Sequence, residues 1–144
     1  MSAEQLEVGQ VVATGAYEID RDALVHYAGA SGDFNPIHYR DDVAASVGLP
    51  GVLAHGMLTM GFAIQPVVDR FGAARVLEYG VRFTKPVVVP QQGTVRLELE
   101  AKVGRLEDGE ARIDVTAKVA DQTVLGRAQV RVALDAPAEA PRAD

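Results

Sequence analysis

Two ionisable side chains in one short loop have the residue types that proton transfer needs. Asp33 and His38 lie five residues apart, on either side of Asn35-Pro36. Proline restricts its own backbone and that of the residue before it, so we predict a stiff loop that holds a carboxylate and an imidazole toward one small volume. Such a pair can hold a water molecule and move protons, because histidine titrates near neutral pH. The same spacing also fits a turn-forming aspartate beside an incidental histidine.

A second candidate is His55-Gly56-Met57, where a long apolar helix is predicted to begin. The first N–H groups of a helix have no partners within it and carry the positive end of its dipole. Directed at a carbonyl group, the N–H of Gly56 would stabilise negative charge on the oxygen. Gly56 fits a packing role equally well, and His55 is interpreted as structural.

Other catalytic chemistries are disfavoured by what the chain lacks. The three histidines have no zinc-like spacing and no cysteine accompanies them, so we predict no metal site. Without cysteine there is also no disulfide and no thiolate nucleophile, which fits a cytoplasmic protein. No G-x-S-x-G sequence is present to form a serine nucleophile elbow.

Composition limits the classes of partner. The net charge of −6 without a block of lysine or arginine predicts a protein that does not bind nucleic acid. No signal peptide opens the sequence, and no apolar run approaches the roughly 20 residues that span a bilayer. One segment is locally rich in basic residues. These residues could bind a phosphorylated ligand or an acidic carrier protein, or they could simply be the solvated faces of strands. These residues are Arg70, Arg75, Arg82, Lys85, Arg96, Lys102 and Arg105.

The first half of the chain is predicted to be mainly helical. A strand over 11–17 precedes a helix over 21–28 that Asp20 caps, and residues 29–38 are predicted to be a loop. Asp41 or Asp42 is predicted to cap a short helix that ends near Ser46. The helix over 56–71 is apolar on every side, which predicts a buried helix, with a kink or a change of partner at Pro66.

The second half is predicted to be an antiparallel sheet. Residues 75–84 form one strand, and residues 95–103 alternate between apolar and charged side chains, as in a strand with one face in water. Asp108-Gly109 is a hairpin turn signal before the return strand. We therefore predict an α+β domain over residues 1–134, in which a curved sheet hides the apolar helix, and a disordered tail over 135–144.

At two places the chain resembles the MaoC-like (R)-specific enoyl-thioester hydratases and dehydratases. The resemblance lies in Ser31-Gly32-Asp33-Phe34-Asn35-Pro36-Ile37-His38 and in Ala54-His55-Gly56-Met57. It implies a hot-dog fold, with Asp33 and His38 as catalytic residues and the Gly56 N–H as oxyanion donor. Asn35, Ser31 and His55 have supporting roles.

The implied reaction is the reversible hydration of trans-2-enoyl thioesters to (3R)-3-hydroxyacyl thioesters. The chain looks most like the catalytic subunit of a (3R)-hydroxyacyl-ACP dehydratase of fatty-acid elongation; an (R)-specific enoyl-CoA hydratase of β-oxidation or polyester supply shares the motif. The substrate is then an acyl-CoA or acyl-ACP whose pantetheine arm replaces any cofactor. Pairing with a second hot-dog subunit, as a homodimer or heterodimer, is also implied. A hot-dog thioesterase and a non-catalytic acyl-binding subunit are the competing interpretations.

Overall fold

The computed structural model describes residues 5–135 and shows an α+β domain of one antiparallel sheet and three α-helices. The helices are α1 (Arg21–Ser31), α2 (Asp41–Ser46) and α3 (Gly56–Phe71). The strands are β1 (Val11–Ile19), β2 (Val76–Phe83), β3 (Val95–Glu107), β4 (Glu110–Val119), β5 (Gln122–Thr123) and β6 (Leu125–Ala133). Short 3-10 turns lie at Pro36–His38 and Ala73–Arg75.

The sheet curves around α3. Its strands follow the order β1-β3-β4-β6-β2, with β5 paired to β4, and every pairing is antiparallel. Helix α3 contacts β1, β2, β3, β4 and β6. The hidden apolar helix that the sequence predicted is therefore held against one sheet, and β2 lies at an edge of that sheet.

The alternating pattern of the long hairpin is confirmed. In β3 the side chains of Leu97, Leu99 and Ala101 are buried against the core, while their charged neighbours face water. The strand ends at Glu107 and β4 begins at Glu110, so the turn falls at the predicted Asp108-Gly109. Period-two burial of this kind sets the pairing register, because a slip by one residue would expose every apolar side chain.

Helix α3 is less completely buried than its apolar sequence predicted. Thr59, Ala63 and Val67 are buried, but the side chain of Met57 is 59% exposed. The reason is geometric: a single sheet covers one side of a helix, and part of the opposite side meets water in the isolated chain. The helix continues through Pro66, whose ring packs where Gly15 of β1 leaves room for it.

Two predictions about the first helices need correction. Asp20 does cap α1, accepting from the Ala23 N–H at 2.8 Å, but α1 continues to Ser31 instead of ending at residue 28. Helix α2 has Arg40 in the N-cap position, so neither Asp41 nor Asp42 caps it. Asp41 instead receives a paired hydrogen bond from the Arg21 guanidinium, at 2.9 and 3.2 Å. That ion pair links the starts of α1 and α2.

The predicted tail over 135–144 lies outside the described residues except for Asp135. Among residues 5–135, no helix is both long enough and apolar enough to cross a membrane.

Candidate active site

Three successive hydrogen bonds from backbone N–H groups to side-chain oxygens fix the loop between α1 and the first 3-10 turn. The Ser31 hydroxyl accepts from the Asp33 N–H at 3.1 Å, and Asp33 Oδ1 accepts from the Asn35 N–H at 3.1 Å. Asn35 Oδ1 then accepts from the Ile37 N–H at 3.2 Å. Short polar side chains that bond the backbone two residues ahead form tight turns of this type. Ser31 and Asn35 thus shape the loop that presents Asp33.

The backbone determines which nitrogen of His38 carries a proton. His38 Nδ1 lies 2.7 Å from the Leu53 carbonyl oxygen, which can only accept, so Nδ1 carries the hydrogen in the neutral ring. His38 Nε2 is then left with a lone pair, 3.8 Å from Asp33 Oδ2. That separation is too long for a direct hydrogen bond but lets one water molecule reach both atoms.

His55 contacts both Asp33 and His38 from the core side. Its ring stacks on the His38 ring with centroids 3.8 Å apart, and its Nε2–H donates to the Asp33 carbonyl oxygen at 3.1 Å. The Tyr27 ring meets its other side edge-on, with centroids 4.8 Å apart. His55 is 1% exposed, so it holds both Asp33 and His38 from inside the core. This position refines the structural role predicted for it.

Burial is the main cause of a lowered pKa of His55. The hydrogen bond to the Asp33 carbonyl raises the pKa but does not outweigh burial, and the charges of His38 and Asp33 have smaller, opposite effects. At a pH just below the ordinary pKa of histidine, His55 is therefore protonated more often in the unfolded chain than in the folded chain. The stability contributed by neutral His55 is complete above about pH 6.5 and is lost as the pH falls toward the folded pKa.

We accordingly expect the free energy of unfolding to fall between about pH 7.5 and pH 5.5. His55→Gln keeps an amide donor in place of Nε2–H but does not titrate, so this dependence should flatten. Urea midpoints at the two pH values measure it, with exposed His26→Gln as the control. An unchanged slope in His55→Gln would contradict the prediction.

A cavity of about 310 Å³ opens beside the histidine pair. His38, Gly56, Phe83 and Lys85 are among the residues that line it. A methyl group on Gly56 would lie 3.0 Å from the Phe83 ring, so the packing interpretation of this glycine is supported. Its N–H is also the first of α3, where amide groups have no partner within the helix. Close packing and an available donor thus coexist at Gly56.

Asp33, His38 and His55 offer ligand atoms within 4.8 Å of one another. The two imidazole planes differ by only 22° and lie face to face. Ring nitrogens coordinate metals in the plane of the ring, so stacked rings do not direct their lone pairs at one ion. The arrangement suits water binding and proton transfer better than metal coordination.

Comparison with known proteins identifies the family. Residues 4–123 match the model of the MaoC like domain. The chain belongs to the MaoC-like domain family.

Relatives of this MaoC-like domain are named as dehydratases. It is 31% identical over 132 residues to the 3-hydroxybutyryl-CoA dehydratase of Methylorubrum extorquens, covering 90% of this chain and 82% of that protein. It is 44% identical over 64 residues to 3-hydroxyacyl-thioester dehydratase X of Mycobacterium tuberculosis, covering 44% of this chain but only 22% of that protein. A solved structure titled MaoC-like dehydratase superposes with a TM-score of 0.88 at 33% identity, covering 93% of this chain and 42% of that one. The hot-dog fold is confirmed, while the chain spans only a minor part of several of its relatives.

Sequence reasoning missed one wall of the cavity in the MaoC-like domain. Phe83, Thr84, Lys85 and Pro86 come from the end of β2 and the segment after it. Further along, Val88 forms an isolated antiparallel bridge with Leu53. The segment lines the same cavity as His38, more than 40 residues earlier in the chain, because the sheet closes around α3.

Proposed function

We propose that this MaoC-like domain is a hydro-lyase that interconverts trans-2-enoyl thioesters and (3R)-3-hydroxyacyl thioesters. The observation that carries the proposal is the 3.8 Å separation of His38 Nε2 and Asp33 Oδ2 beside a cavity that Gly56 also lines. Two hydrogen-bond acceptors at that distance suit one water molecule, the reactant that hydration adds.

In hydration, the water donates one hydrogen to His38 Nε2 and the other to Asp33 Oδ2. Its oxygen forms a bond to C3 as one of the two residues removes a proton from it. The electron pair of the C2–C3 double bond moves toward the thioester carbonyl. The Asp33/His38 pair then gives the proton that it took from water to C2 on the same face, which restores both residues to their starting states. Dehydration reverses these steps. The side chain of Asp33 is 51% exposed, so bound substrate can approach the carboxylate directly.

Negative charge develops on the thioester oxygen during this step. The N–H of Gly56 points out of the start of α3 beside the cavity and is the proposed donor to that oxygen. A preorganised donor at the site of developing charge stabilises the transition state more than the ground state. The scheme needs no redox cofactor, because adding water to a double bond involves no net oxidation or reduction. The pantetheine arm belongs to the substrate.

The proposed physiological step is the (3R)-hydroxyacyl-ACP dehydratase step of fatty-acid elongation in the cytoplasm. An (R)-specific enoyl-CoA hydratase is the second candidate, and the relative from Methylorubrum extorquens, a 3-hydroxybutyryl-CoA dehydratase by name, favours a CoA ester. A hot-dog thioesterase is less well supported, because several such enzymes carry a catalytic carboxylate in the central helix. In α3 the first acidic residue is Asp69, near the far end, and its Oδ1 accepts from Gln65.

We also propose that the active unit contains a second hot-dog subunit. Three large apolar side chains near the site are exposed in the single chain: Phe34 at 60%, Met57 at 59% and Phe83 at 56%. Large apolar side chains that remain exposed near a site are typical of interaction surfaces. A solved structure of related fold at 20% identity is titled the ChsH1-ChsH2 complex, which shows that such folds occur in two-protein assemblies.

The proposed activity is tested by following the loss of enoyl-thioester absorbance when the purified chain is given crotonyl-CoA. Turnover by this chain alone would support a self-sufficient hydratase and a homodimer. A folded protein that is inactive with both crotonyl-CoA and the corresponding ACP ester, even with its co-purifying partner, would overturn the proposal. That result would favour a non-catalytic acyl-binding subunit.

A further inference from the structure

Most cations of the described chain have acidic partners, and those without a partner are not spread evenly. Within residues 5–135, four basic side chains have neither an ion pair nor a side-chain hydrogen bond: Arg82, Lys85, Lys118 and Arg127. Three of them, Arg82, Lys85 and Arg127, lie where β2 ends beside β6. We call these three the free cation cluster.

The cluster adjoins the active-site cavity. Phe83 and Lys85 line the cavity that His38 and Gly56 also line. Arg82 precedes Phe83 and, together with Arg127, lines a neighbouring depression of about 330 Å³. In the β2–β6 ladder Arg82 pairs with Gly126, directly before Arg127. The end of β2 thus contributes Phe83 and Lys85 to the reaction cavity, while Arg82 of β2 and Arg127 of β6 place positive charge beside it.

Arg127 occupies an unusual backbone position. Its φ is +45°, in the left-handed region that favours glycine. The register of β2 against β6 shifts between Gly80 and Arg82, so β6 contains an extra residue at this point. Bulges often redirect a side chain beside an active site. Gly126 stands next to the strained position, yet the strain falls on an arginine, which suggests that the guanidinium is needed there.

The depression is positive overall. Arg112 and Arg131 also line it, and they pair with Asp114 and with Glu78 and Glu110. Because these carboxylates pair with Arg112 and Arg131, Arg82 and Arg127 have no acidic partner among the described residues. An exposed cation gains most from a multiply charged anion that accepts several hydrogen bonds, as a phosphate group does.

We propose that the free cation cluster binds the phosphate of the 4′-phosphopantetheine arm as the substrate enters the cavity. The inference rests on the proposed function, because the arm belongs to the thioester substrate. That phosphate is present in both CoA and carrier-protein esters. The cluster holds the arm outside the cavity while the thioester lies between His38 and Gly56.

The test measures KM and kcat with three crotonyl esters: pantetheine, which has no phosphate, 4′-phosphopantetheine, which has one, and CoA. In Lys85→Ala and Arg82→Gln we expect KM for the two phosphorylated esters to rise about three- to tenfold, with little change in kcat. The KM for the pantetheine ester should stay as in the wild type. Added salt should raise KM for the phosphorylated esters only, because exposed charges are screened.

Arg127→Gly is the sharpest variant. Glycine accepts the left-handed backbone without strain, so the fold should be retained while the charge is removed. Lys118→Gln is the matched control, since it removes an equally unpartnered exposed charge from β4 that lines neither cavity.

The outcomes separate this inference from the proposed function. If all three esters are turned over but the variants change KM equally for the phosphorylated and unphosphorylated esters, the phosphate site is overturned and the hydratase activity stands. The same conclusion follows if the variants do not change KM at all. Effects confined to the CoA ester would also overturn the phosphate site, because the contacts would then be to the nucleotide. If the site holds, comparing kcat/KM for crotonyl-CoA and crotonyl-ACP identifies which source supplies the phosphate.

Discussion

Replacing His38 by alanine is expected to lower kcat for crotonyl-CoA hydration by about 10²- to 10⁴-fold, the range of a single general acid or base. Asp33→Asn should produce a loss of similar size. The physical reason is that His38→Ala deletes one of the two acceptors, 3.8 Å apart, that position the water, while Asp33→Asn replaces the other by an uncharged amide that cannot take a proton. KM should change much less than kcat, because the pair acts on the transition state more than on substrate binding.

The His38 variant also removes a donor from the Leu53 carbonyl and leaves space in a buried site. His38→Asn separates these effects, since an asparagine amide lies close to the position of Nδ1 and can still donate to Leu53. It should restore much of the thermal stability but none of the activity. Exposed His26→Ala and Asp121→Asn serve as controls. Near-wild-type turnover in either folded His38 variant would exclude the histidine from proton transfer.

Removing the amide hydrogen of Gly56 is expected to have the next largest effect. Gly56→Pro and Gly56→Ala both add a Cβ, which would lie 3.0 Å from the Phe83 ring, but only proline lacks the N–H. Proline is well tolerated at the first position of a helix, and His55 already has ψ near 132°, which suits a residue before proline. We expect kcat of Gly56→Pro to be about 10²- to 10³-fold below that of Gly56→Ala, the loss typical of an oxyanion donor.

The steric effect of the added Cβ is removed by making the same two changes in a Phe83→Leu background. If the difference in kcat between the proline and alanine variants persists there, the lost N–H is its cause. If the two variants have equal kcat in both backgrounds, Gly56 is a packing glycine and the oxyanion donor lies elsewhere. Thermal unfolding of each variant shows whether the fold is retained.

The sequence predicts strands, turns and helix caps correctly where each depends on residues that are close together in the chain. The alternation in β3, the Asp108-Gly109 turn and the Asp20 cap all involve residues a few positions apart, whose spacing is visible in one dimension. The helix over 56–71 was predicted with both ends right, because apolar residues continue between His55 and Gly72. The end of α1 was placed too early, since Gly29 suggested a turn that Gly32 provides instead.

For the site, the sequence and its family resemblance selected the residues that we propose to carry the chemistry: Asp33 and His38 in one loop and Gly56 at a helix start. Only the tertiary structure decided their geometry. The Leu53 carbonyl selects the His38 tautomer, the His55 ring stacks on His38, and Phe83 and Lys85 line the same cavity. All of them come from other parts of the chain. They meet because the sheet closes around α3. Contacts between residues far apart in the chain are created by tertiary packing and produce no repeating pattern in the sequence, so they could not be predicted from it.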